Sequence, residues 1–173
     1  MTWSQGASPA AGGRNGSHWI FNPYLLLAFR LLLAAIFIYA AVQKIGRPHA
    51  FADEIHGYGV VDYGPPLYIM AVVLPWIELL CGFSLVAGVA IRGAALILIG
   101  LNAMFLVVIA KKTIGYVSDG TPFMKIYFDC GCGFGATYAW KKLLEDAAYL
   151  IMSLALFAAP RHRFVVSIRR RSS

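Results

Sequence analysis

Two thiols separated by one residue are the first chemistry this chain offers. The run Phe128-Asp129-Cys130-Gly131-Cys132-Gly133-Phe134-Gly135 places Cys130 and Cys132 on either side of a glycine. Closing them makes a very small disulfide ring, and a strained or exposed disulfide has a more oxidising potential and exchanges readily. Gly131 removes the side chain that would add strain at the tightest point of such a ring. The same spacing also reads as two inert thiols or as half of a metal site, so the surroundings decide.

Three polar residues lie inside long apolar runs: Arg30, Glu78 and Asn102. An unpaired charge at the centre of a bilayer costs at least about 2.5 to 3.5 kcal/mol on insertion scales, so Arg30 and Glu78 are expected to face inward and to meet each other or a ligand. His49, Asp53 and His56 recur at i, i+4 and i+7 and could share one helical face as metal ligands. A solvated interfacial face explains the same letters, and no metal site is assigned. Cys81 reads as a small buried apolar residue.

The composition says what has to hold these groups. Of 173 residues, 60% are hydrophobic and 13% charged, with a mean hydropathy of +0.68, against roughly 25% charged in an ordinary soluble domain. The chain is therefore read as an integral membrane protein, an all-α bundle of four helices. At about 20 residues per span, the spans fall at about 24–42, 67–89, 93–110 and 143–159. Residues 1–18 form a flexible tail without a signal-peptide core, 19–160 the transmembrane domain, and 161–173 a basic tail.

Between the first two spans, residues 47–56 predict a short helix with Pro48 near its start and acids in its first turns. Arg92 sits in a very short turn that makes the second and third spans antiparallel neighbours. Counting 1.5 Å per residue puts Glu78 and Asn102 at matching heights near mid-bilayer, with Arg30 about 9 Å in from the same side as Arg92. Its long side chain can extend toward Glu78, which predicts a buried Arg30–Glu78 pair. Residues 111–140 form a second long connection, rich in aromatics and carrying the cysteines, which reads as a functional loop lying in the interface.

Four spans put both termini on one side. Lys and Arg outside the spans tie at seven per side. The terminal side holds Arg14, Arg92, Arg161, Arg163, Arg169, Arg170 and Arg171; the loop side holds Lys44, Arg47, Lys111, Lys112, Lys125, Lys141 and Lys142. All the acids outside the spans, from Asp53 to Asp146, lie on the loop side, which leaves the terminal side the more positive and favours cytoplasmic termini. Cys130 and Cys132 then lie in the oxidising compartment, where disulfides persist. Arg169, Arg170 and Arg171 abut a span, so anionic lipid or an acidic protein partner, and not nucleic acid, is their expected contact.

Several features follow one another in a recognisable order: Arg30 with apolar residues to Tyr39, Lys44 and Phe51, Pro75-Trp76-Ile77-Glu78-Leu79 with Gly82, and Phe128-Asp129-Cys130-Gly131-Cys132. This order resembles the MauE and DoxX/DoxD group of four-helix membrane proteins, over about residues 30–152. The resemblance implies work near thiol redox and quinones: MauE-like members assist disulfide formation in a periplasmic dehydrogenase subunit, and DoxD-like members are subunits of a thiosulfate:quinone oxidoreductase. The family pattern continues Cys-Phe-Gly, whereas here Gly133 precedes Phe134-Gly135, an extra glycine that loosens the turn.

Two functional classes follow. In the first, a protein of the bacterial inner membrane exchanges its Cys130–Cys132 pair with a periplasmic partner protein and passes electrons to a quinone, with no covalently bound cofactor. In the second, it is a non-catalytic accessory subunit of a larger membrane redox complex, with a static disulfide and the arginine tail gripping its partner. The topology is checked by labelling cysteines from outside the cell: after reduction, Cys130 or Cys132 should react while tags on the tails stay protected. Labelling of the tail instead would reverse the orientation.

Overall fold

The computed structural model describes residues 23–129 and 135–159. Helix α1 spans Pro23–Ile45, α2 Pro48–His56, α3 Pro65–Ala87 and α4 Ile91–Ser118. A 3-10 turn at Phe123–Lys125 leads into a two-stranded hairpin, β1 Tyr127–Asp129 and β2 Ala136–Tyr138, and α5 Ala139–Ala158 follows directly. Prolines stand at the starts of the first three helices, where a fixed φ is already helical and the missing N–H is not needed. The expected spans at 24–42 and 67–89 correspond to α1 and α3, and the short helix expected at 47–56 is α2.

The connection between α3 and α4 is a Schellman turn. Gly88 takes φ +72°, its N–H donates to the Leu85 carbonyl, and the Val89 N–H donates to the Ser84 carbonyl at 3.1 Å. The Ser84 hydroxyl also donates to the Val89 carbonyl. Helix α4 then starts at Ile91, so Arg92 belongs to the helix and not to the turn, with its guanidinium 5.4 Å from the Phe157 ring.

Two expectations are corrected here. Helix α4 does not stop near residue 110 but runs to Ser118, because Lys111 and Lys112 end a hydrocarbon-length run without breaking a helix. The breakers come later, at Asp119-Gly120-Thr121-Pro122. The connection carrying the cysteines is correspondingly shorter, and part of it is a hairpin, with Tyr127 paired to Tyr138, Phe128 to Thr137 and Asp129 to Ala136. Residues 130–134, the expected tail of residues 1–18 and the basic tail at 161–173 lie outside the described residues.

Helices α1, α3, α4 and α5 close into a ring: α1 packs most extensively on α3, α4 on α5, and the α3–α4 and α1–α5 seams complete it. The main core fills one end with Leu33, Phe37, Leu85, Leu98 and Leu156. Helix α2 lies over the other end, burying Phe51 and Ile55 against Leu67 and Ala71 of α3.

The outward faces are apolar, with Leu31, Val72, Leu80, Leu96 and Val107 all exposed, as expected of surfaces that meet lipid and not water. Among the described residues three helices, α1, α3 and α4, are long and apolar enough to cross a membrane. Helix α5 carries Lys141, Lys142, Glu145 and Asp146 near its start, and it turns its polar residues inward: Lys142, Asp146 and Ser153 are buried while Leu144, Ile151 and Leu154 are exposed.

Helices α1 and α3 come close together at Gly82. A Cβ on Gly82 would lie 2.6 Å from Ile38 Cγ1 and 3.3 Å from the Ala34 carbonyl oxygen, so only glycine lets these backbones meet at that level. Gly82→Leu should destabilise the protein by about 1–3 kcal/mol, the usual cost of overpacking, measured by thermal unfolding in detergent. Adding Ile38→Ala should recover part of the loss.

Candidate functional site

The centre of the ring holds two ion pairs and a small cavity. Lys44, in the last turn of α1, extends its ammonium to Glu78 of α3 and donates to Oε1 at 2.7 Å and Oε2 at 2.8 Å. Both residues are buried, at 6% and 1% exposure. The Lys44 ammonium also lies 5.0 Å from the ring centroids of Phe51 and Phe105. Cation–π contacts reach about 2 kcal/mol when desolvated. One ammonium thus touches side chains from α2, α3 and α4 as well as belonging to α1.

The second pair lies within α5, where Lys142 donates to Asp146 Oδ1 at 2.7 Å across one helical turn. It also comes within 4.0 Å of the half-exposed Glu145, and its ammonium stands 5.6 Å from the Tyr149 ring. Tyr149 in turn meets Phe37 of α1 edge to face at 6.4 Å. Between the two pairs is a cavity of about 40 Å³ to which all four ring helices contribute, including Lys44, Glu78, Asn102, Phe105, Lys142 and Asp146. That is room for about three waters at the ~10–15 Å³ a water requires, and far below the ~150 Å³ that accommodates benzene.

Glu78 and Asn102 line this one cavity, in agreement with the equal depths counted along α3 and α4. The expected Arg30–Glu78 pair is not formed: Lys44 takes that place. Gly82 faces Ala34 and Ile38, so Glu78, one turn earlier on an antiparallel helix, faces α1 beyond Ile38, toward Lys44. Arg30 is buried on α1 but lies 14 residues before Lys44, about 21 Å along the helix axis. Counting depth from each helix's own end placed Arg30 within reach and ignored Lys44, which reaches inward from the opposite end.

Lys44, Phe105, Lys142 and Asp146 are the site residues that sequence reasoning missed. The signal for the last two is periodic: Lys142, Asp146, Tyr149 and Ser153 recur at helical spacing, which forms a polar stripe on a helix whose other face is apolar. The His49, Asp53 and His56 face is taken up by local contacts: Tyr63 donates to Asp53 Oδ1 at 3.1 Å, and the His56 and Tyr63 rings lie 3.9 Å apart. Among the described residues no cluster of metal ligands is present. Cys81 is a buried free thiol in the main core.

The hairpin that flanks the cysteine run is anchored at the α2 end of the ring. Lys112 of α4 places its ammonium 4.9 Å from both the Tyr58 and Phe128 rings, and Tyr116 stacks on Phe128 at 6.2 Å. Ile126 is buried and accepts a hydrogen bond from the Ala139 N–H at 3.0 Å. This bond ties the start of α5 to the entry of β1. Cys130 and Cys132 themselves, and Arg169, Arg170 and Arg171, lie outside the described residues.

Residues 22–159 match the family model described as methylamine utilisation protein MauE. The methylamine utilization protein MauE of Paracoccus denitrificans is 26% identical over 148 residues, which cover 80% of this chain and 71% of the relative. No solved structure matches the chain.

Removing one member of a buried pair leaves an uncompensated charge, whereas removing both leaves none. Lys44→Leu or Glu78→Leu alone should therefore cost about 3–5 kcal/mol of stability, and the double variant should recover a large part of it, measured by unfolding in detergent. Arg30→Leu combined with Glu78→Leu should be additive, because the two side chains do not meet.

Proposed function

The chain belongs to the MauE family, and from that premise we propose that it is a four-span protein of the bacterial inner membrane whose Cys130 and Cys132 exchange thiols and disulfides with a partner protein on the periplasmic side. Helix α5 serves as the fourth span in this reading: at 20 residues it matches the hydrocarbon thickness, and its Lys142 and Asp146 turn inward to the central cavity. Both termini are then cytoplasmic.

The observation that carries the proposal is the anchored hairpin. Asp129 pairs with Ala136, so the six residues from 130 to 135 connect two strands whose base is clamped by Lys112, Tyr58 and Tyr116. The Cys-Gly-Cys run joins these two strands in the sequence, and exchange with a partner thiolate is the reading that this anchorage supports. In the exchange, a partner thiolate attacks one sulfur of the Cys130–Cys132 disulfide, forming a mixed disulfide and releasing the other cysteine as thiolate. The partner's second thiol then displaces the bound cysteine, so the partner leaves oxidised and the pair is left as two thiols. Re-oxidation moves two electrons and two protons to an acceptor, for which a membrane quinone reduced to its quinol is the chemical class we assign. The quinone docks from the bilayer beside the hairpin, since the central cavity is too small for a ring. The relative is named for methylamine utilization, and we extend that process to this chain as the setting of its partner.

The test is a trap. Cys132→Ser leaves Cys130 without its resolving neighbour, so a mixed disulfide with a periplasmic partner should accumulate as a band that disappears on reduction. No adduct, with a partner complex intact and active in the Cys130→Ser, Cys132→Ser double variant, would mean that the pair is structural and the chain an accessory subunit held through its arginine tail.

A further inference from the structure

We propose that the cavity at the centre of the bundle is a water-binding site through which Asp146 exchanges a proton. Two buried polar atoms of residues lining it have no hydrogen-bond partner among the described residues: Asn102 Nδ2, a donor, and Asp146 Oδ2, an acceptor. The residues carrying them are 4% and 5% exposed, and buried polar groups are almost always hydrogen-bonded. A ligand that completes both must accept from the amide and donate to the carboxylate. Water does both, and about 40 Å³ accommodates about three molecules at ~10–15 Å³ each.

Charge selects the same ligand. The lining presents two ammonium groups, Lys44 and Lys142, and two carboxylates, Glu78 and Asp146. A metal cation would meet the lysines and an anion the carboxylates, so a neutral hydrogen-bonding molecule is the class that fits. Each oxygen of Glu78 already accepts a bond from Lys44, whereas Asp146 accepts from Lys142 through Oδ1 alone. Oδ2 is the oxygen left to take a proton.

The step is a simple transfer. The neutral water beside Asp146 relays a proton from solvent: one of its O–H bonds breaks as the carboxyl O–H forms on Oδ2, a new O–H bond forms to the proton that a neighbouring water hands on, and a neutral water remains hydrogen-bonded to Asn102. The groups that set its pH dependence are Lys142, Glu145 and Tyr149 on α5, Lys44 on α1 and Glu78 on α3. The inference goes beyond the thiol reading and stands whether or not Cys130 and Cys132 turn over.

The full chain in lipid vesicles is examined by infrared difference spectroscopy between mildly acidic and neutral pH, in H₂O and D₂O. The expected result is a protonated-carboxyl band that shifts in D₂O, moves with ¹³C-labelled aspartate but not with labelled glutamate, and is lost in Asp146→Asn. Asn102→Leu, which removes the donor that holds the water, should shift the band. The isotope labelling uses the unaltered protein, so the test survives if Asp146→Asn does not fold. Absence of the band in the unaltered chain, its assignment to glutamate, or a band indifferent to Asn102→Leu would overturn the proposal.

Discussion

Lys44 carries a positive charge into a bundle whose outer faces are hydrocarbon, and much of the site's arrangement follows from neutralising it there. The effective penalty for burying one ion is several kcal/mol, and it is offset only by close geometry with the remaining hydrogen-bonding capacity satisfied. Glu78 supplies the geometry, with one carboxylate oxygen on each side of the ammonium. Phe51 and Phe105 cover the rest of the ammonium with ring faces. These partners come from three other helices, so the contact fixes α2 over the end of the ring and sets the register of α1 against α3. Gly82, one turn from Glu78, lets the two backbones come close enough for the side chains to meet.

The second pair extends the same logic to α5. A helix opening with four charged residues is a poor membrane helix by composition, yet Lys142 and Asp146 neutralise each other across one turn and face the interior. The outward surface keeps Leu144, Ile151 and Leu154. The polar centre of the ring therefore lies close to the hairpin, because α5 begins immediately after β2. The family to which the chain belongs is defined here over residues 22–159, the part that contains the ring, the two pairs and the hairpin.

The sequence made the helices legible and the pairing between them less so. Apolar run length located α1 and α3 closely, because hydrocarbon thickness fixes the length of a span. It misjudged the end of α4, since two lysines stop a membrane run without stopping a helix, and it could not show that residues 127–129 and 136–138 pair as strands. Depth counting brought Glu78 and Asn102 to one level because both lie mid-helix, where an error of a few residues does little harm. It failed for Arg30 because the partner of a buried charge depends on which neighbouring helix end a flexible side chain enters from. Lys44 was visible as a flanking residue, but nothing in a one-dimensional pattern shows a lysine turning inward.

The central claim, that Lys44 and Glu78 form the buried contact around which the bundle is built, is most directly tested by a distance measurement in bilayers. Solid-state NMR of protein labelled with ¹⁵N at lysine Nζ and ¹³C at glutamate Cδ reports their dipolar coupling. A Glu145→Gln background removes another close lysine–glutamate contact, Lys142 with Glu145 at 4.0 Å. Strong coupling in that background, lost on Lys44→Met, is the result this structure requires. Absence of coupling in folded, membrane-embedded protein would contradict it.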